Sequence, residues 1–384
     1  MRTPERVGRI AVLRANALGD LILTYPALQA LKDRFPEAEL TLIGKAWHAE
    51  FLAGRPGPVD RVAVLPVPEV LGGPISGEAA ARLAPWLEEQ RARRYDVAVQ
   101  LYGGGRFSNP LTASLGAALT VGLRAPDAPG LDADLPYIYY QHETVRGLEV
   151  VGLLGASGVP YPAVAVTDAD RGAAEAALRG RVRGAYAVLH PGATDARRRW
   201  PPERFAAVAD HLRSLGLDVL ATGTLAERDV TGAVAAEAAS DVVDLAGRLS
   251  LPALVGVLAG AEILISNDTG PMHLADAVGT PTVGIFWCGN AINAAPLRRR
   301  RHRPLLSWTI HCPQCGANCT RDVYPSRTAG DACKHKPSFV AEVPVVEVVD
   351  AAEDLLAGAR PVTAAPWRQE HQADPEAVGS PSAS

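Results

Sequence analysis

Short runs of mostly apolar residues alternate with helix-like segments along the first half of the chain. The runs Arg9–Ala15, "AELTLIG", "RVAVLPV" and "YDVAVQLYGGG" are strand-like, and patterns such as "LTYPALQALKDRF" between them are helical. Continuous apolar strands are buried on both faces, which happens when helices cover each side of a parallel sheet. The sequence therefore predicts an α/β fold.

The same alternation restarts near residue 185 with "AYAVLHPGA", "LDVLATGT", "VVDLAG" and "EILIS". A chain of 384 residues exceeds the usual size of one domain. We therefore predict two Rossmann-like domains, residues 1–170 and 171–345, joined near 165–183, with their parallel sheets facing a cleft. A helix over 345–360 follows, and the polar, small-residue tail 361–384 is predicted to be disordered.

Charge and hydropathy exclude several classes of protein. Hydrophobic residues make up 48% of the chain, as in globular proteins, and the net charge of −4 argues against a general nucleic-acid binder. The sequence has no leader-like segment and no apolar stretch near the ~20 residues that span a bilayer. A cytoplasmic protein is expected, with contact at the inner face of the membrane left open.

The stretch "LISNDTGPMHLADAVGTPTVGIF" places a polar turn between two buried runs. Pro271 suits a first helical turn and Gly279 a helix C-cap, so the intervening helix is predicted to be short. Its N-terminal amides and dipole would suit a phosphate at Asp268, Thr269 and Gly270, with His273 as a further donor. The simpler interpretation is that Asp268 or Thr269 caps the helix and His273 packs below it.

Three other polar positions follow predicted strands. Asp20 either caps a helix or serves as a general base at the cleft. Thr194 and Arg198 lie in "HPGATDARRRWPPERF", which could hold a phosphate or be a solvated basic loop. Glu227 could accept bonds from ribose hydroxyls or only place charge at a helix N-terminus.

Together, "GDLILTYPAL", "HPGATDARRRWPPERFAAVADHL" and "LAGAEILISNDTGPMHLADAVGTPTVGIF" resemble glycosyltransferase family 9, the ADP-heptose:lipopolysaccharide heptosyltransferases and their relatives. The resemblance covers roughly residues 8–290. It implies a GT-B fold in which the first domain receives the acceptor and the second holds the sugar nucleotide. It also implies that a C-terminal helix, here Val345–Leu356, crosses back to the first domain.

The resemblance also assigns roles to the polar positions. Asp20 matches the catalytic base, and Arg198 stands where the family has a lysine that contacts the donor phosphates. Donor-binding positions are matched by Thr194, Glu227, Asp268, Thr269, Gly270 and His273. Arginine for lysine keeps the charge but changes the hydrogen-bonding geometry.

The implied activity is an inverting transfer of a sugar, heptose in the family, from a nucleotide-diphospho-sugar such as ADP-heptose. The acceptor would be a hydroxyl of a saccharide or glycolipid, as in the synthesis of cell-envelope polysaccharides. No metal is required, because helix amides and a cation can meet the leaving-group charge. Two alternatives remain: a sugar-nucleotide epimerase of GT-B shape and a non-catalytic nucleotide-sugar-binding protein.

Two regions depart from the family pattern. After Phe286 the chain continues as "WCGNAINAAPLRRRRHRP", which leaves the donor open, and its arginine run could be solvated or could meet an anionic acceptor or membrane. A Cys-rich insert over 308–338 carries Cys312, Cys315, Cys319 and Cys333, enough thiolates for a structural zinc ion. His311 and His335 are substitute ligands, and free thiols or an iron–sulfur cluster are the alternatives.

Overall fold

The computed structural model describes residues 6–74, 77–323, 327–328 and 333–358. Two parallel six-stranded sheets organise the chain, so the predicted α/β architecture is confirmed. The strands of the first sheet are β1 Arg9–Leu13, β2 Glu39–Gly44, β3 Arg61–Val64, β4 Val97–Gln100, β5 Leu119–Arg124 and β6 Ala133–Pro136. Those of the second sheet are β7 Tyr186–His190, β8 Asp218–Ala221, β9 Val242–Asp244, β10 Ile263–Asn267, β11 Thr282–Trp287 and β12 His302–Ser307.

Both sheets have the same strand order. The first runs β3-β2-β1-β4-β5-β6, and the second runs β12-β11-β10-β7-β8-β9. The two orders are the same when the second is read in reverse and its strands are counted from β7. The direction of winding therefore reverses between β1 and β4 in one sheet and between β7 and β10 in the other. Ligands bind outside the carboxyl ends of strands at such switch points. A short antiparallel pair, β13 Asp322–Val323 and β14 Arg327–Thr328, lies in the Cys-rich insert.

Helices join the strands and cover the sheets. The helices of the first half are α1 Leu18–Arg34, α2 Ala46–Leu52, α3 Gly77–Ala92, α4 Ser108–Ser114 and α5 Glu143–Gly152. Those of the second half are α6 Asp168–Leu178, α7 Pro202–Ser214, α8 Arg228–Glu237, α9 Leu251–Ala259, α10 Gly270–Val278, α11 Cys288–Ala294 and α12 Val345–Gly358. Short 3-10 turns lie at Pro68–Leu71, Ala196–Arg198 and Leu225–Glu227. None of the helices in the described ranges is long and apolar enough to cross a bilayer.

The last helix forms where the sequence predicts it but packs differently from the expectation. Val348, Ala352 and Leu355 on α12 are buried in the core of the second sheet, and Asp354 pairs with Arg303. The helix packs on α7 and on β10, β11 and β12. Its apolar face is therefore used by the second domain rather than by a return to the first. The predicted disordered tail, 361–384, falls outside the described residues.

The two halves are packed together through helices. Helix α1 of the first half packs on α10, and α6, which lies inside the predicted junction 165–183, packs on α9. One buried apolar cluster includes both Leu28 of α1 and Leu274 of α10. The exact division at residue 170 stays a prediction, since α6 contacts both halves.

Candidate active site

The N-termini of α1 and α10 meet across the cleft with almost no space between them. A Cβ added to Gly19 would lie 2.9 Å from His273 Cδ2, and one added to Gly270 would lie 3.0 Å from Leu18 Cβ. Only glycine allows this approach of two backbones. The positive ends of two helix dipoles consequently face one place, which favours an anion there.

Asp20 lies in the first turn of α1, where its two carboxylate oxygens have different partners. Oδ2 accepts a hydrogen bond from the Ala17 N–H at 3.1 Å, and Oδ1 accepts one from Arg14 Nη2 at 2.9 Å. The predicted capping role is therefore present. The side chain is still 34% exposed, and the preceding residue, Gly19, lies against His273.

Asp268 is the centre of a buried polar cluster. Oδ2 accepts bonds from Arg198 Nη1 at 3.2 Å and from Asn290 Nδ2 at 2.6 Å, and Oδ1 pairs with His273 Nε2 at 3.3 Å. Burial raises the pKa of the Asp268 carboxyl, but the His273 hydrogen bond and charge, Arg198 and Asn290 together lower the pKa to about 2. The carboxylate is ionised at neutral pH, and it orients three donors rather than capping the helix.

Helix α10 matches the sequence prediction closely. Pro271 lies in its first turn, and Gly279, with φ of 91°, forms its C-cap. Thr269 is the N-cap in an extended conformation, and its Oγ1 lies 3.2 Å from Ser266 Oγ rather than bonding the helix. Thr269 therefore gives the Gly270 N–H no side-chain cap; Pro271 has no N–H, and the Met272 and His273 N–H groups bond Thr269 O.

The loop after β7 brings Arg198 to Asp268 and also carries Thr194. Asn267 at the end of β10 fixes this loop, because its Oδ1 accepts from the Trp200 N–H at 3.1 Å and its Nδ2 donates to Pro191 O at 2.8 Å. Trp200 is fully buried, whereas Thr194 is exposed. The loop is thus anchored at both ends and presents Thr194 outward.

Glu227 reaches the same loop from the turn after β8. Its Oε2 accepts from the Thr224 N–H at 2.8 Å and from Thr224 Oγ1 at 2.9 Å. Its Oε1 lies 2.3 Å from the position that a Cβ on Gly192 would take, so a larger residue there would displace the Glu227 carboxylate. The local capping role is present, and the carboxylate also borders the loop of Thr194.

The sequence analysis missed three residues: Asn290, which bonds Asp268, and Arg14 and Glu143, which form a network with Asp20. Asn290 comes from α11, in the segment that departs from the family pattern. Arg14 and Glu143 are 129 residues apart yet lie 3.2 Å from each other. A charged residue at the end of a buried strand was a signal for Arg14, but the sequence held no comparable signal for Glu143.

The arginine run 298–303, which leads into β12, makes several separate structural contacts. Arg301 donates to Gly279 O, Arg303 pairs with Asp354, and Arg298 lies over the Tyr161 ring at 5.1 Å. Arg299 donates to Pro296 O, and Arg300 is exposed. Most of the run therefore fastens the turn between α11 and β12.

The Cys-rich insert brings four ligand-type atoms together. Cys312, Cys315, Cys333 and His335 have their donor atoms within 4.8 Å of one another. The Sγ atoms of Cys315 and Cys333 are 3.7 Å apart, and His335 Nδ1 lies 3.7 Å from Cys312 Sγ and 3.6 Å from Cys333 Sγ. A tetrahedron with Zn–S bonds of ~2.3 Å has edges of about 3.8 Å, so these spacings fit one ion.

The turn that begins at Cys312 favours the thiolate form of this residue. Burial raises its pKa, but the backbone N–H groups of Gln314 and Cys315 and the thiols of Cys333 and Cys315 lower it to about 6. Cys319 is different, since it is fully buried and its thiol donates to Ala317 O at 3.4 Å. His335 therefore joins the group in the position that the sequence assigned to Cys319.

The chain after this cluster packs on the Arg198 loop. The Phe339 N–H donates to Arg197 O at 2.7 Å, and Ser338 Oγ donates to Arg199 O at 2.6 Å. Arg197 also lies over the Phe339 ring at 5.9 Å. Hydrogen bonds therefore join the segment that follows the cysteine cluster to the loop that carries Arg198.

Comparison with known proteins agrees with this geometry. The family model described as glycosyltransferase family 9 (heptosyltransferase) matches residues 91–321, more than half of the chain. The chain is 28% identical over 288 residues to lipopolysaccharide heptosyltransferase 1 of Pseudomonas aeruginosa, a match that covers 72% of this chain and 78% of that protein.

Two solved structures show the same fold. The ADP-heptose LPS heptosyltransferase II of Escherichia coli superposes with a TM-score of 0.69 at 18% identity, covering 91% of this chain and 98% of that one. TibC, an iron-containing dodecameric glycosyltransferase of enterotoxigenic E. coli, gives 0.52 at 16% identity, covering 92% and 76%. The protein is thus a GT-B enzyme that transfers glycosyl groups. It belongs to glycosyltransferase family 9, whose members include the heptosyltransferases.

Proposed function

We propose that the enzyme is an inverting transferase that moves heptose from ADP-heptose to a hydroxyl of a lipopolysaccharide-type glycolipid. The observation that carries the proposal is the contact of α1 with α10, because it sets Gly19, the residue before Asp20, against His273 of the Asp268–Arg198–His273 cluster. The related heptosyltransferases named above supply the identity of the donor and the class of acceptor.

In this mechanism Asp20 is the general base. Its exposed carboxylate takes the proton of the acceptor hydroxyl as that oxygen forms a bond to the anomeric carbon. The bond from the anomeric carbon to the diphosphate breaks on the opposite face, and ADP leaves with the electron pair. One displacement of this kind inverts the anomeric configuration.

In this proposal the negative charge of the departing diphosphate is stabilised by groups that the fold holds at the cleft. Arg198, the N-termini of α10 and α1, and the exposed Thr194 hydroxyl surround the position of the diphosphate. The Asp268 carboxylate repels phosphate little, since its charge is shared among Arg198, His273 and Asn290. In this proposal Glu227, which borders the same loop, accepts hydrogen bonds from the ribose hydroxyls.

The donor is tested by calorimetry with ADP, UDP and GDP and with their heptose or hexose conjugates. We expect ADP to bind at least about tenfold more tightly than the other two, which corresponds to about 1.4 kcal/mol. Transfer is then followed as ADP release with heptose-deficient lipopolysaccharide, and the anomeric configuration of the product is read by NMR. Tighter UDP binding, retention of configuration, or turnover of the donor without an acceptor would each contradict the proposal; the last would indicate an epimerase.

We also propose that a structural zinc ion is held by Cys312, Cys315, Cys333 and His335. The tetrahedral spacing of the four donor atoms supports this, as does the turn that stabilises the Cys312 thiolate. The iron of TibC makes iron the competing metal. The ion takes no part in the transfer and instead stiffens the segment that packs against the Arg198 loop.

Metal analysis of the purified protein is expected to give about one zinc per chain. His335→Ala and Cys315→Ser should lose the metal, whereas Cys319→Ala should keep it, because Cys319 bonds a carbonyl instead. Cys288→Ser is the control for removing a thiol elsewhere. Retention of zinc by His335→Ala with loss in Cys319→Ala would restore the ligand set of four cysteines, and stoichiometric iron would overturn the choice of zinc.

A further inference from the structure

Arg14 is a buried cation that contacts two carboxylates. It follows β1, its side chain is 5% exposed, and its Nη2 bonds both Asp20 Oδ1 at 2.9 Å and Glu143 Oε2 at 3.2 Å. Its Nε donates to Asp20 O at 3.3 Å, and its Nη1 donates to Leu101 O. All three guanidinium nitrogens are therefore bonded, and the group cannot turn away from Asp20.

Glu143 occupies the far side of this arginine and has a second cation of its own. Arg146 bonds Glu143 Oε1, and the Arg146 Nη2 donates to the carbonyls of Ile138, Tyr139 and Gln141. Burial raises the pKa of the Glu143 carboxyl, but Arg14 and Arg146 hold it below its usual value. Charges therefore alternate from Asp20 through Arg14 and Glu143 to Arg146.

The helix that carries Glu143 is fastened to the helix that carries Asp20. Thr144 Oγ1 donates to Leu23 O at 3.0 Å, and α5 packs along α1. Glu143 and Asp20 consequently keep a fixed relation to the arginine between them. Arg14 follows β1, whereas Asp20 and Glu143 lie in the first turns of α1 and α5. The tertiary packing of these three elements therefore brings the network together.

The contact with Arg14 has two opposite effects on Asp20 as a general base. Arg14 holds the Asp20 carboxylate in place, but an unshared cation at this distance would also make that carboxylate a poorer acceptor of protons. Resting on the proposed role of Asp20, we propose that Glu143 is a positioning residue: it shares Arg14 with Asp20, so that Arg14 holds the Asp20 carboxylate in place while part of its charge is compensated by Glu143. The titratable and charged groups that face this network are Arg14, His48, Tyr102, Tyr137, His142, Glu143, Arg146 and His273.

Glu143→Gln removes the charge and keeps the shape. With ADP-heptose and heptose-deficient lipopolysaccharide, we expect kcat to fall about 3- to 10-fold, because a weaker base accepts the proton less readily. The acidic limb of the kcat/KM profile should move to lower pH by about half a unit or more. The Kd for ADP should stay unchanged, and Glu149→Gln, an exposed change on the same helix, should match the wild type in all three measurements.

Arg146→Gln tests the same network in the other direction. It leaves Glu143 with a larger share of Arg14, so the acidic limb should move to higher pH. Shifts of opposite sign in the two variants support the proposal, and a loss of kcat with an unmoved limb in either folded variant overturns it. If the wild type releases no ADP from this donor and acceptor, the proposed function fails, and this result is distinct from failure of the Glu143 role.

Discussion

Asp20→Asn should lower the rate of transfer about 10³-fold while the Kd for ADP stays unchanged, because general-base catalysis contributes 10²–10⁴-fold. The amide keeps the shape of the side chain, and its oxygen can still accept from Arg14 or from Ala17 N–H. It cannot take a proton from the acceptor hydroxyl. The loss should therefore appear in kcat, measured as ADP release under saturating donor, rather than in donor affinity.

Asp33→Asn is the matched control, because Asp33 lies on the same helix but is exposed and accepts a hydrogen bond from Gln29, one turn earlier. It should retain the wild-type rate. Full activity of Asp20→Asn with intact ADP binding would remove Asp20 from the mechanism and turn attention to Glu143, the next carboxylate along the network. A fall in ADP binding of similar size would instead assign Asp20 a structural role in the cleft.

The local features of the fold could be predicted because each depends on a few neighbouring residues. Pro271 and Gly279 set the ends of α10 through their backbone preferences, and apolar runs marked β1, β2 and β10. Strand β12 is not evident from the sequence, since "HRPLLS" has charges and a proline. It pairs with β11 on one side as an edge strand, where proline is tolerated.

The site was predictable only as far as single residues follow single strands. Asp268 and Arg198 could be placed at the switch point, but the sequence could not show that the two side chains pair with each other. Contacts between distant segments, such as Asn290 with Asp268, depend on how the elements pack. The proximity of His335 to Cys312 has the same origin, because packing brings together two residues that are 23 positions apart.

The cleft between the domains depends on α6, which is held from both sides. Gly256 of α9 allows close packing, since a Cβ there would lie 2.2 Å from Asp170 O. On the other side, Arg55 of the first half makes a bidentate pair with Asp170, with Nη1–Oδ2 at 2.6 Å and Nη2–Oδ1 at 2.9 Å. Arg55 also donates to Ala165 O, so one side chain connects the first half to the junction.

Arg55→Met should therefore lower the free energy of unfolding by about 3–5 kcal/mol, the cost of leaving one partner of a buried ion pair alone. The side chains of Arg55 and Asp170 are 4% and 1% exposed, so water cannot replace the lost partner. Methionine keeps the apolar stem over Phe51. The measurement is the shift of the urea unfolding curve at neutral pH.

The acid dependence gives a second measurement for the same change. Burial raises the pKa of the Asp170 carboxyl, but Arg55 and Thr167 lower it below its usual 3.8. A lowered folded-state pKa stabilises the protein above that value and loses this contribution as the pH falls through it. The difference in stability between wild type and Arg55→Met should consequently shrink as the pH drops below about 4.

Two controls separate the pair from general effects of the substitution. Arg61→Met breaks the exposed pair with Glu89 and should cost less than about 1 kcal/mol. The double variant Arg55→Met/Asp170→Asn should recover part of the loss, because no unpaired charge then remains buried. If Arg55→Met lowers the free energy of unfolding no more than Arg61→Met does, the packing of α6 on α9 is enough to hold α6 in place. The contact of Gly19 with Gly270 would then not depend on this ion pair.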